Sequence, residues 1–369
     1  MIPVFKPCYG KKELEALCEP FRTGWIGSGP KTKEFEEKFA KYIGVKYAVA
    51  TNSCTASLHL AMKVMNIEDC EVITTPMTFV ATNHAILYNN GIPVFSDIYA
   101  DTLNINPEKV KDLITNKTRA IVVVHYGGHS CDMDVINEIA NRYKLVVIED
   151  VAHGCGGEYK GKRLGSLGDI ACFSFNAVKN LATGDGGMIT TNNFEVYKRL
   201  LKLSWMGISK NTWARQDDEK YSWHYNVDEV GYKYQMNDIV ASIGLVQLAK
   251  LDKMNEKRRE IIKKYNNGFT DLDWIVTPTQ RSYTKRACHN YVIKLDERDK
   301  LNIYLKENRI STGIHYIPNN HYEMYKDCQG KTPVCEKVWL KLLTLPLFPD
   351  LTDSEISMIV EKVRLFKEK

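Results

Sequence analysis

Two residues in the middle of the chain, Asp150 and Lys179, have side chains suited to chemistry on a carbonyl group. Asp150 ends the apolar segment 145–150, and Lys179 follows shortly after the segment 170–175. A lysine that burial deprotonates can attack a carbonyl carbon and form a Schiff base, and a buried carboxylate can keep a ring nitrogen protonated. The ordinary alternatives are a solvated lysine and an aspartate that accepts hydrogen bonds from loop amides.

Small polar residues and two rings could complete a binding site around this pair. Ser53, Cys54 and Thr55 precede a helical pattern, and free N–H groups at a helix N-terminus favour an anion. Helix capping explains the same residues equally well. Phe79 is expected either against a flat ligand or in the core. His153 is expected either to hydrogen-bond a ligand oxygen or to be a buried structural histidine.

The elements that would position these residues alternate between short apolar segments and helical patterns. Runs of β-branched residues such as 120–124 are typical of strands buried on both faces of a parallel sheet. The alternation predicts a doubly wound α/β domain, in which ligands bind at the carboxyl ends of the strands. The predicted strands are residues 46–51, 71–75, 92–97, 119–125, 145–150, 170–175 and 188–191, and the predicted helices among them include 55–65, 107–114 and 133–143.

The pattern changes after residue 192 and predicts a second, smaller α+β domain. We expect the charged run 256–260 to be a solvated helix face. The predicted division is a large domain, residues 1–250 including an N-terminal arm, and a small C-terminal domain, residues 251–369. The elements predicted here are an aromatic and charged loop at about 205–235, an apolar helix at 239–251 followed by a long charged helix, a strand at 291–295, and helices at 296–308 and 354–366.

Composition excludes several classes of protein. The 369 residues carry a net charge of only +5, and the charges are interspersed, so no basic stripe indicates a nucleic-acid binder. The ten cysteines form no CxxC pair, which argues against a zinc site or a disulfide framework. The first residues do not have the pattern of a signal peptide, and no apolar run is long enough to span a bilayer. We expect a cytoplasmic protein without a metal.

An ordered set of motifs resembles the DegT/DnrJ/EryC1/StrS sugar aminotransferases. The resemblance extends from about residue 20 to 352, and three of the motifs, which contain Trp25, Lys233 and Pro346, look closest to the UDP-4-amino-4-deoxyarabinose synthase branch. The matching segments are residues 24–32, 52–56, 148–153, 173–187, 231–234, 313–316 and 345–350.

This resemblance implies fold type I of the pyridoxal 5'-phosphate (PLP) enzymes, acting as a homodimer with shared active sites. It implies that Lys179 forms the Schiff base and moves the substrate proton, and that Asp150 pairs with the pyridinium nitrogen. The other implied cofactor contacts are His153 at the phenolic oxygen, Phe79 on the ring, Ser53, Cys54, Thr55 and Ser174 at the phosphate, and Lys233, which could supply charge to the partner's site. The implied substrate-binding residues are Trp25, Asn176, His315 and Tyr316.

Two positions depart from the pattern that the family often shows. Lys233 and Gln235 stand where an Asn and an Arg are frequent, in the segment that reaches the partner's site. Asn176 stands where the family often has a histidine near the sugar. These changes leave the phosphate contacts and the identity of the sugar open.

The resemblance implies an aminotransferase that moves an amino group from L-glutamate to a nucleotide-linked keto-sugar, most simply a 4-keto-6-deoxyhexose. The cofactor would alternate between PLP and pyridoxamine phosphate (PMP) in a ping-pong cycle. The alternatives are a PMP-dependent sugar dehydratase, against which Lys179 argues, a non-catalytic PLP-binding or sugar-nucleotide-binding regulator, and another fold type I activity such as cysteine desulfuration. The nucleotide stays open, as does the pathway, for which lipopolysaccharide or O-antigen synthesis is one candidate. Neither nucleic acid nor membrane insertion is expected.

Overall fold

The large sheet of the fold confirms the predicted α/β architecture. The computed structural model describes residues 1–208, 225–328 and 330–368. The seven predicted strands all form, with ends that shift by at most two residues. The strands are β1 (Tyr47–Thr51), β2 (Glu71–Thr74), β3 (Ile92–Phe95), β4 (Thr118–Val124), β5 (Val146–Asp150), β6 (Glu158–Tyr159), β7 (Lys162–Arg163), β8 (Ile170–Ser174), β9 (Gly187–Thr191), β10 (Thr284–Lys285), β11 (Tyr291–Lys294) and β12 (Leu342–Leu345).

Helices cover the sheet and alternate with short strands in the C-terminal part of the chain. The predicted helix 133–143 has the bounds that the structure shows, whereas the helix predicted at 107–114 ends earlier. The helices are α1 (Lys11–Thr23), α2 (Pro30–Ile43), α3 (Cys54–Val64), α4 (Val80–Tyr88), α5 (Pro107–Lys111), α6 (Met133–Tyr143), α7 (Phe194–Ser204), α8 (Asp238–Gly268), α9 (Arg298–Glu307), α10 (Pro333–Val338) and α11 (Asp353–Leu365).

The strand order of the large sheet is β1-β9-β8-β5-β4-β2-β3. Every neighbouring pair is parallel except those of β9, which runs antiparallel to both β1 and β8. Because Ser174 of β8 pairs with Gly187 of β9, the connection between these two strands lies at the carboxyl end of β8. Lys179 belongs to that connection. The sheet therefore brings Lys179 to the same edge as Asp150, at the end of the neighbouring strand β5.

Alternating side chains of the buried strands build two cores on the two faces of this sheet. In β4, Ile121 and Val123 belong to one apolar cluster, and Ala120 and Val122 belong to the other. Successive side chains of a strand point to opposite faces, so a run of apolar residues is buried on both. This packing explains why the continuous β-branched runs predicted the sheet correctly.

One long helix replaces the two that the sequence predicted after residue 238. α8 is continuous over 31 residues, and the Asn237 side chain caps its start by accepting from the Val240 N–H at 3.0 Å. Its first half packs in a core of the large sheet through Leu251, and its second half packs against β11 and β12 through Ile261. The predicted domain division between residues 250 and 251 falls inside α8 and stays a prediction.

The run 256–260 in α8 forms a largely solvated face, as predicted, except for Arg258. This side chain is buried, and its guanidinium lies 3.4 Å from the Asn255 Oδ1. Burial lowers the pKa of Arg258 to about 10. Among the described helices, none combines the length and the apolar character that a membrane span requires.

Candidate active site

A cavity of about 450 Å³ lies where the carboxyl ends of β5 and β8 meet the start of α3. We call it the Lys179 cavity. It contains all but two of the predicted site residues, which agrees with the rule that ligands bind at strand carboxyl ends. The predicted residues in its lining are Ser53, Cys54, Thr55, Phe79, Asp150, His153, Ser174, Asn176, Lys179, His315 and Tyr316.

Lys179 is half-buried in this cavity, and its amine forms no hydrogen bond or ion pair with any residue that the structure describes. Burial lowers the pKa of Lys179 to about 8, whereas the nearby Cys54 and Asp150 oppose that change. An amine with a pKa near 8 is partly deprotonated at neutral pH and can act as a nucleophile. The geometry therefore favours the reactive alternative over a solvated lysine.

Asp150 is buried at the end of β5, and two donors hold its carboxylate. The Ala152 N–H donates to Oδ1 at 3.0 Å, and the Thr82 hydroxyl donates to Oδ2 at 2.7 Å. Burial raises the pKa of Asp150, and these two hydrogen bonds together with Lys179 oppose the rise. Each oxygen keeps further acceptor capacity, so the carboxylate can still accept a proton donor from a ligand in the cavity.

The start of α3 fits the phosphate group of PLP. Ser53 caps the helix by accepting from the Ala56 N–H at 3.1 Å. The N–H groups of Cys54 and Thr55 make no hydrogen bond within the described chain. Gly187 of β9 packs below them so closely that a Cβ there would lie 2.6 Å from the Ser53 carbonyl. This cradle of free N–H groups at a helix N-terminus matches a phosphate dianion.

The Ser174 hydroxyl completes the polar side of this cradle. Its Oγ accepts from the Asn176 N–H at 3.5 Å, which leaves its own proton free to donate to a ligand. Asn176 is exposed at the cavity wall, and its Oδ1 accepts from the Val178 N–H at 3.3 Å.

His153 is buried as a neutral imidazole with a defined tautomer. Its Nδ1 accepts from the Gly127 N–H at 3.3 Å, so its proton lies on Nε2, which donates to the Tyr316 hydroxyl at 2.9 Å. Burial, followed by the charge of Lys179, lowers the pKa of His153 well below its usual value. Tyr316 therefore keeps its own O–H free to donate into the cavity.

Phe79 and His315 line the same cavity from opposite parts of the chain. Phe79 is 58% exposed, which excludes the core position that the sequence left open, and its ring lies 6.2 Å from that of Tyr316. The Nδ1 of His315 lies 2.7 Å from the Thr344 hydroxyl. Burial lowers the pKa of His315 to about 4, so this ring is neutral too.

The structure adds two rings to the site that the sequence did not suggest. His289 stacks on His153 with 4.3 Å between ring centroids, and the Phe5 ring stacks on His289 with 5.1 Å between centroids. Both residues line the Lys179 cavity. Phe5 precedes the first helix and His289 precedes β11, so neither follows a strand of the large sheet. No local pattern could have indicated them.

Trp25 and Lys233 lie in a second cavity of about 540 Å³, which we call the Trp25 cavity. It shares no lining residue with the Lys179 cavity. The Lys233 ammonium lies 3.3 Å from the centroid of the Trp205 ring, a cation–π contact, and burial lowers the pKa of Lys233. The Trp25 indole N–H donates to the Ser28 carbonyl at 3.2 Å. Within the chain that the structure describes, neither of these two residues lines the Lys179 cavity.

A model of the DegT/DnrJ/EryC1/StrS aminotransferase family matches residues 7–364. The chain belongs to this family. The resemblance to this family is therefore confirmed, as are fold type I and PLP as the cofactor, while the likeness to the UDP-4-amino-4-deoxyarabinose synthase branch stays a prediction. This aminotransferase is a transaminase of the sugar-aminotransferase class.

Individual relatives match this aminotransferase over nearly their whole length. MJ1066 of Methanocaldococcus jannaschii, an uncharacterized protein, is 44% identical over 98% of this chain and 97% of its own. SpsC of Bacillus subtilis, a spore coat polysaccharide biosynthesis protein, is 40% identical over 98% of this chain and 96% of its own. Spr1654 of Streptococcus pneumoniae, proposed to be a sugar aminotransferase, has solved PMP and PLP forms. Its PMP form is 30% identical and has a TM-score of 0.94, covering 100% of this chain and 99% of that one.

Proposed function

We propose that this aminotransferase transfers the amino group of L-glutamate to the carbonyl carbon of a nucleotide-linked keto-sugar, a 4-keto-6-deoxyhexose. The observation that carries the proposal is the meeting of Lys179, Asp150 and the start of α3 in one cavity. A reactive amine, a buried carboxylate and a phosphate cradle are the three groups that PLP chemistry requires of a protein. The motifs and the family membership support the sugar as acceptor.

The cofactor's contacts follow from the groups in the Lys179 cavity. We assign the ring nitrogen to Asp150, the phosphate to the start of α3 and Ser174, and the ring face to Phe79. Tyr316 and His153 form a neutral hydrogen-bonded pair that can meet the phenolic oxygen. When bound, PLP would supply the electron sink for the carbanion and the aldehyde carbon that carries the amino group between the two substrates.

Lys179 carries out the proton transfers in this proposal. It removes the proton from the glutamate α-carbon and, in the second half of the cycle, delivers a proton to the former carbonyl carbon of the sugar. Its pKa of about 8 suits both tasks, because the amine can release and take up a proton near neutral pH. The neutral states of His153 and His315 keep further positive charge away from it.

The sugar side of the cavity is assigned to Asn176, His315 and Tyr316. Asn176 is exposed and offers amide groups, and the Tyr316 hydroxyl has a proton to donate. Such groups recognise the hydroxyls of a sugar by hydrogen bonds.

SpsC acts in polysaccharide biosynthesis, and we propose that the product here likewise enters a surface glycan. All ten cysteines are free, as in a reducing cytoplasm, where we place the enzyme.

We further propose a homodimer in which Trp25 and Lys233 serve the partner's active site. Asn52, beside the phosphate cradle, donates through its side chain to the Lys233 carbonyl at 3.3 Å and through its N–H to the Tyr234 carbonyl at 2.7 Å. These two hydrogen bonds fix the backbone of residues 233 and 234 beside the cradle, while the ammonium of Lys233 lies in the Trp25 cavity. The glycine-rich segment 183–187 and the loop 205–234 belong to the same proposal, and residues 209–224 of that loop lie outside the described residues.

The product of the reaction distinguishes this function from the competing dehydratase. The enzyme with PLP is incubated with ¹⁵N-labelled L-glutamate and a panel of UDP-, dTDP- and GDP-linked 4-keto-6-deoxyhexoses. The molecular masses of the products are then measured by mass spectrometry. We expect one sugar to exchange its carbonyl oxygen for a labelled amino group. A product that has only lost water would establish the dehydratase, and Lys179→Ala is the control that should form neither at an appreciable rate.

A further inference from the structure

We infer that Thr82 is a positioning residue of this active site: its hydroxyl fixes the Asp150 carboxylate against the cofactor's ring nitrogen, and the Thr78 hydroxyl fixes Thr82. The inference rests on the proposed pairing of Asp150 with that nitrogen and deepens it. Neither Thr82, in the first turn of α4, nor Thr78, just before that helix, was among the site residues predicted from the sequence.

The three side chains form a continuous chain of hydrogen bonds in the interior. The Thr82 Oγ1 lies 2.7 Å from the Asp150 Oδ2, and the Thr78 Oγ1 lies 2.9 Å from the Thr82 Oγ1. Thr78 and Thr82 are 2% and 1% exposed, and Asp150 is 3% exposed. Both threonines also line the Lys179 cavity. Water has little access to either hydroxyl, because almost none of the surface of these two residues is exposed.

The direction of the chain follows from counting protons. An ionised carboxylate can only accept, so Thr82 must donate its single hydroxyl proton to Asp150. Thr82 is then available to Thr78 only as an acceptor, so Thr78 donates to Thr82. The backbone of Thr78 is held in turn, because its carbonyl accepts from the Asn319 side-chain amide at 2.9 Å.

Two elements therefore clamp the carboxylate from two sides. The Ala152 N–H, in the segment after β5, holds Oδ1, and Thr82, in the first turn of α4, holds Oδ2. This arrangement fixes the plane of the carboxylate before any ligand arrives. A ligand that donates to it then meets an acceptor that is already oriented, which is how preorganisation increases affinity.

The test compares PLP with an analogue whose ring nitrogen is replaced by a CH group. Apoenzyme is titrated with each ligand, and the dissociation constant is measured by absorbance and tryptophan fluorescence for the wild type, Thr82→Val, Thr82→Ser, Thr78→Val and Asp150→Asn. Because loss of a hydrogen bond to a charged group costs on the order of a tenfold change in binding, we expect Thr82→Val to weaken PLP about tenfold. Binding of the analogue should be unchanged.

The other variants distinguish a positioning role of Thr82 from a general disturbance of the site. Thr82→Ser keeps the hydroxyl and should restore PLP affinity, and Thr78→Val should cause a smaller loss than Thr82→Val. Equal weakening of PLP and the analogue by Thr82→Val, or no weakening of either, would overturn the inference. Asp150→Asn tests the pairing of Asp150 with the ring nitrogen, on which the inference rests. If Asp150→Asn weakens the binding of PLP more than that of the analogue while Thr82→Val does not, only the role of Thr82 is wrong. If neither variant discriminates, the pairing of Asp150 with the nitrogen fails as well.

Discussion

Asn180, the residue after Lys179, fixes the tautomer of His289 through one hydrogen bond. The Asn180 amide nitrogen donates to the Asn255 Oδ1 at 2.8 Å and to the Ala287 carbonyl at 2.7 Å, so its oxygen must face His289. That oxygen lies 3.2 Å from the His289 Nδ1 and can only accept, which places the imidazole proton on Nδ1. The ring that stacks on His153 is thereby held by a side chain adjacent to Lys179.

Removing the Asn180 side chain should therefore destabilise the protein. Asn180→Ala leaves the buried Ala287 carbonyl without its donor, whereas the Asn255 Oδ1 keeps the Arg258 guanidinium at 3.4 Å, and a buried unsatisfied group costs about 1–3 kcal/mol. The free energy of unfolding, measured in denaturant, should fall by that order. Asn176→Ala, in an exposed asparagine of the same segment, is the matched control and should change it by less than about 0.5 kcal/mol. Equal effects of the two variants would contradict the buried network.

The pKa of Lys179 predicts how the apoenzyme reacts with PLP as the pH changes. Only the neutral amine attacks a carbonyl, so the rate of attachment should rise with pH and level off above about 8, where Lys179 is deprotonated. A solvated lysine would keep gaining rate up to a pH of about 10.4. Stopped-flow absorbance from pH 6 to 10.5 measures this profile, and a rate that still increases steeply above pH 9.5 would show that burial does not lower this pKa.

Gly187 should be required for the phosphate cradle. In Gly187→Ala the new Cβ would lie within 2.6 Å of the Ser53 carbonyl and push the start of α3 away. Overpacking of this kind costs about 1–3 kcal/mol, so the PLP dissociation constant should rise about tenfold or more. The affinity of inorganic phosphate, measured by its competition with PLP for the cradle, should fall to a similar extent. Gly10→Ala, whose Cβ would meet its nearest neighbour at 3.9 Å, is the control that should leave both unchanged.

Mixed dimers test whether Lys233 serves the partner's active site. Lys179→Ala and Lys233→Ala should each be strongly impaired alone. A heterodimer of the two contains one site with both lysines, so random mixing should restore about a quarter of the wild-type activity. Steady-state rates after unfolding and refolding the two variants together give the answer. If mixing restores nothing beyond the sum of the separate variants, Lys233 acts in its own protomer or not at all.

The sequence predicted the centre of the site because Asp150 and Ser174 end neighbouring parallel strands. Carboxyl ends of such strands share one edge of the sheet, so spacing along the chain translates directly into proximity. Lys179 follows β8 and the start of α3 follows β1, which extends the same logic to the phosphate cradle. The alternating pattern of strands and helices before residue 192 was therefore enough to predict these contacts.

The remaining features depend on contacts between distant parts of the chain. Phe5 and His289 enter the cavity from the N-terminal segment and from the approach to β11, and no periodicity connects them with Asp150. The long α8 appeared as two helices because its composition changes after Leu251, although apolar residues such as Ile261 continue to face a core. Trp25 and Lys233 match the family motif but lie in the Trp25 cavity, and the proposal that they serve a partner's site depends on the arrangement of two chains, which the pattern of one chain does not contain.

The visible absorption of the PLP-loaded enzyme tests the central claim most directly. L-glutamate is added first, and the nucleotide-linked keto-sugars follow one at a time. The account predicts that glutamate abolishes the visible band of bound PLP and that one keto-sugar restores it. In Lys179→Ala, neither change should occur at a catalytic rate. A folded, PLP-loaded enzyme that does not respond to glutamate, or a Lys179→Ala variant that completes the cycle at the wild-type rate, would contradict it.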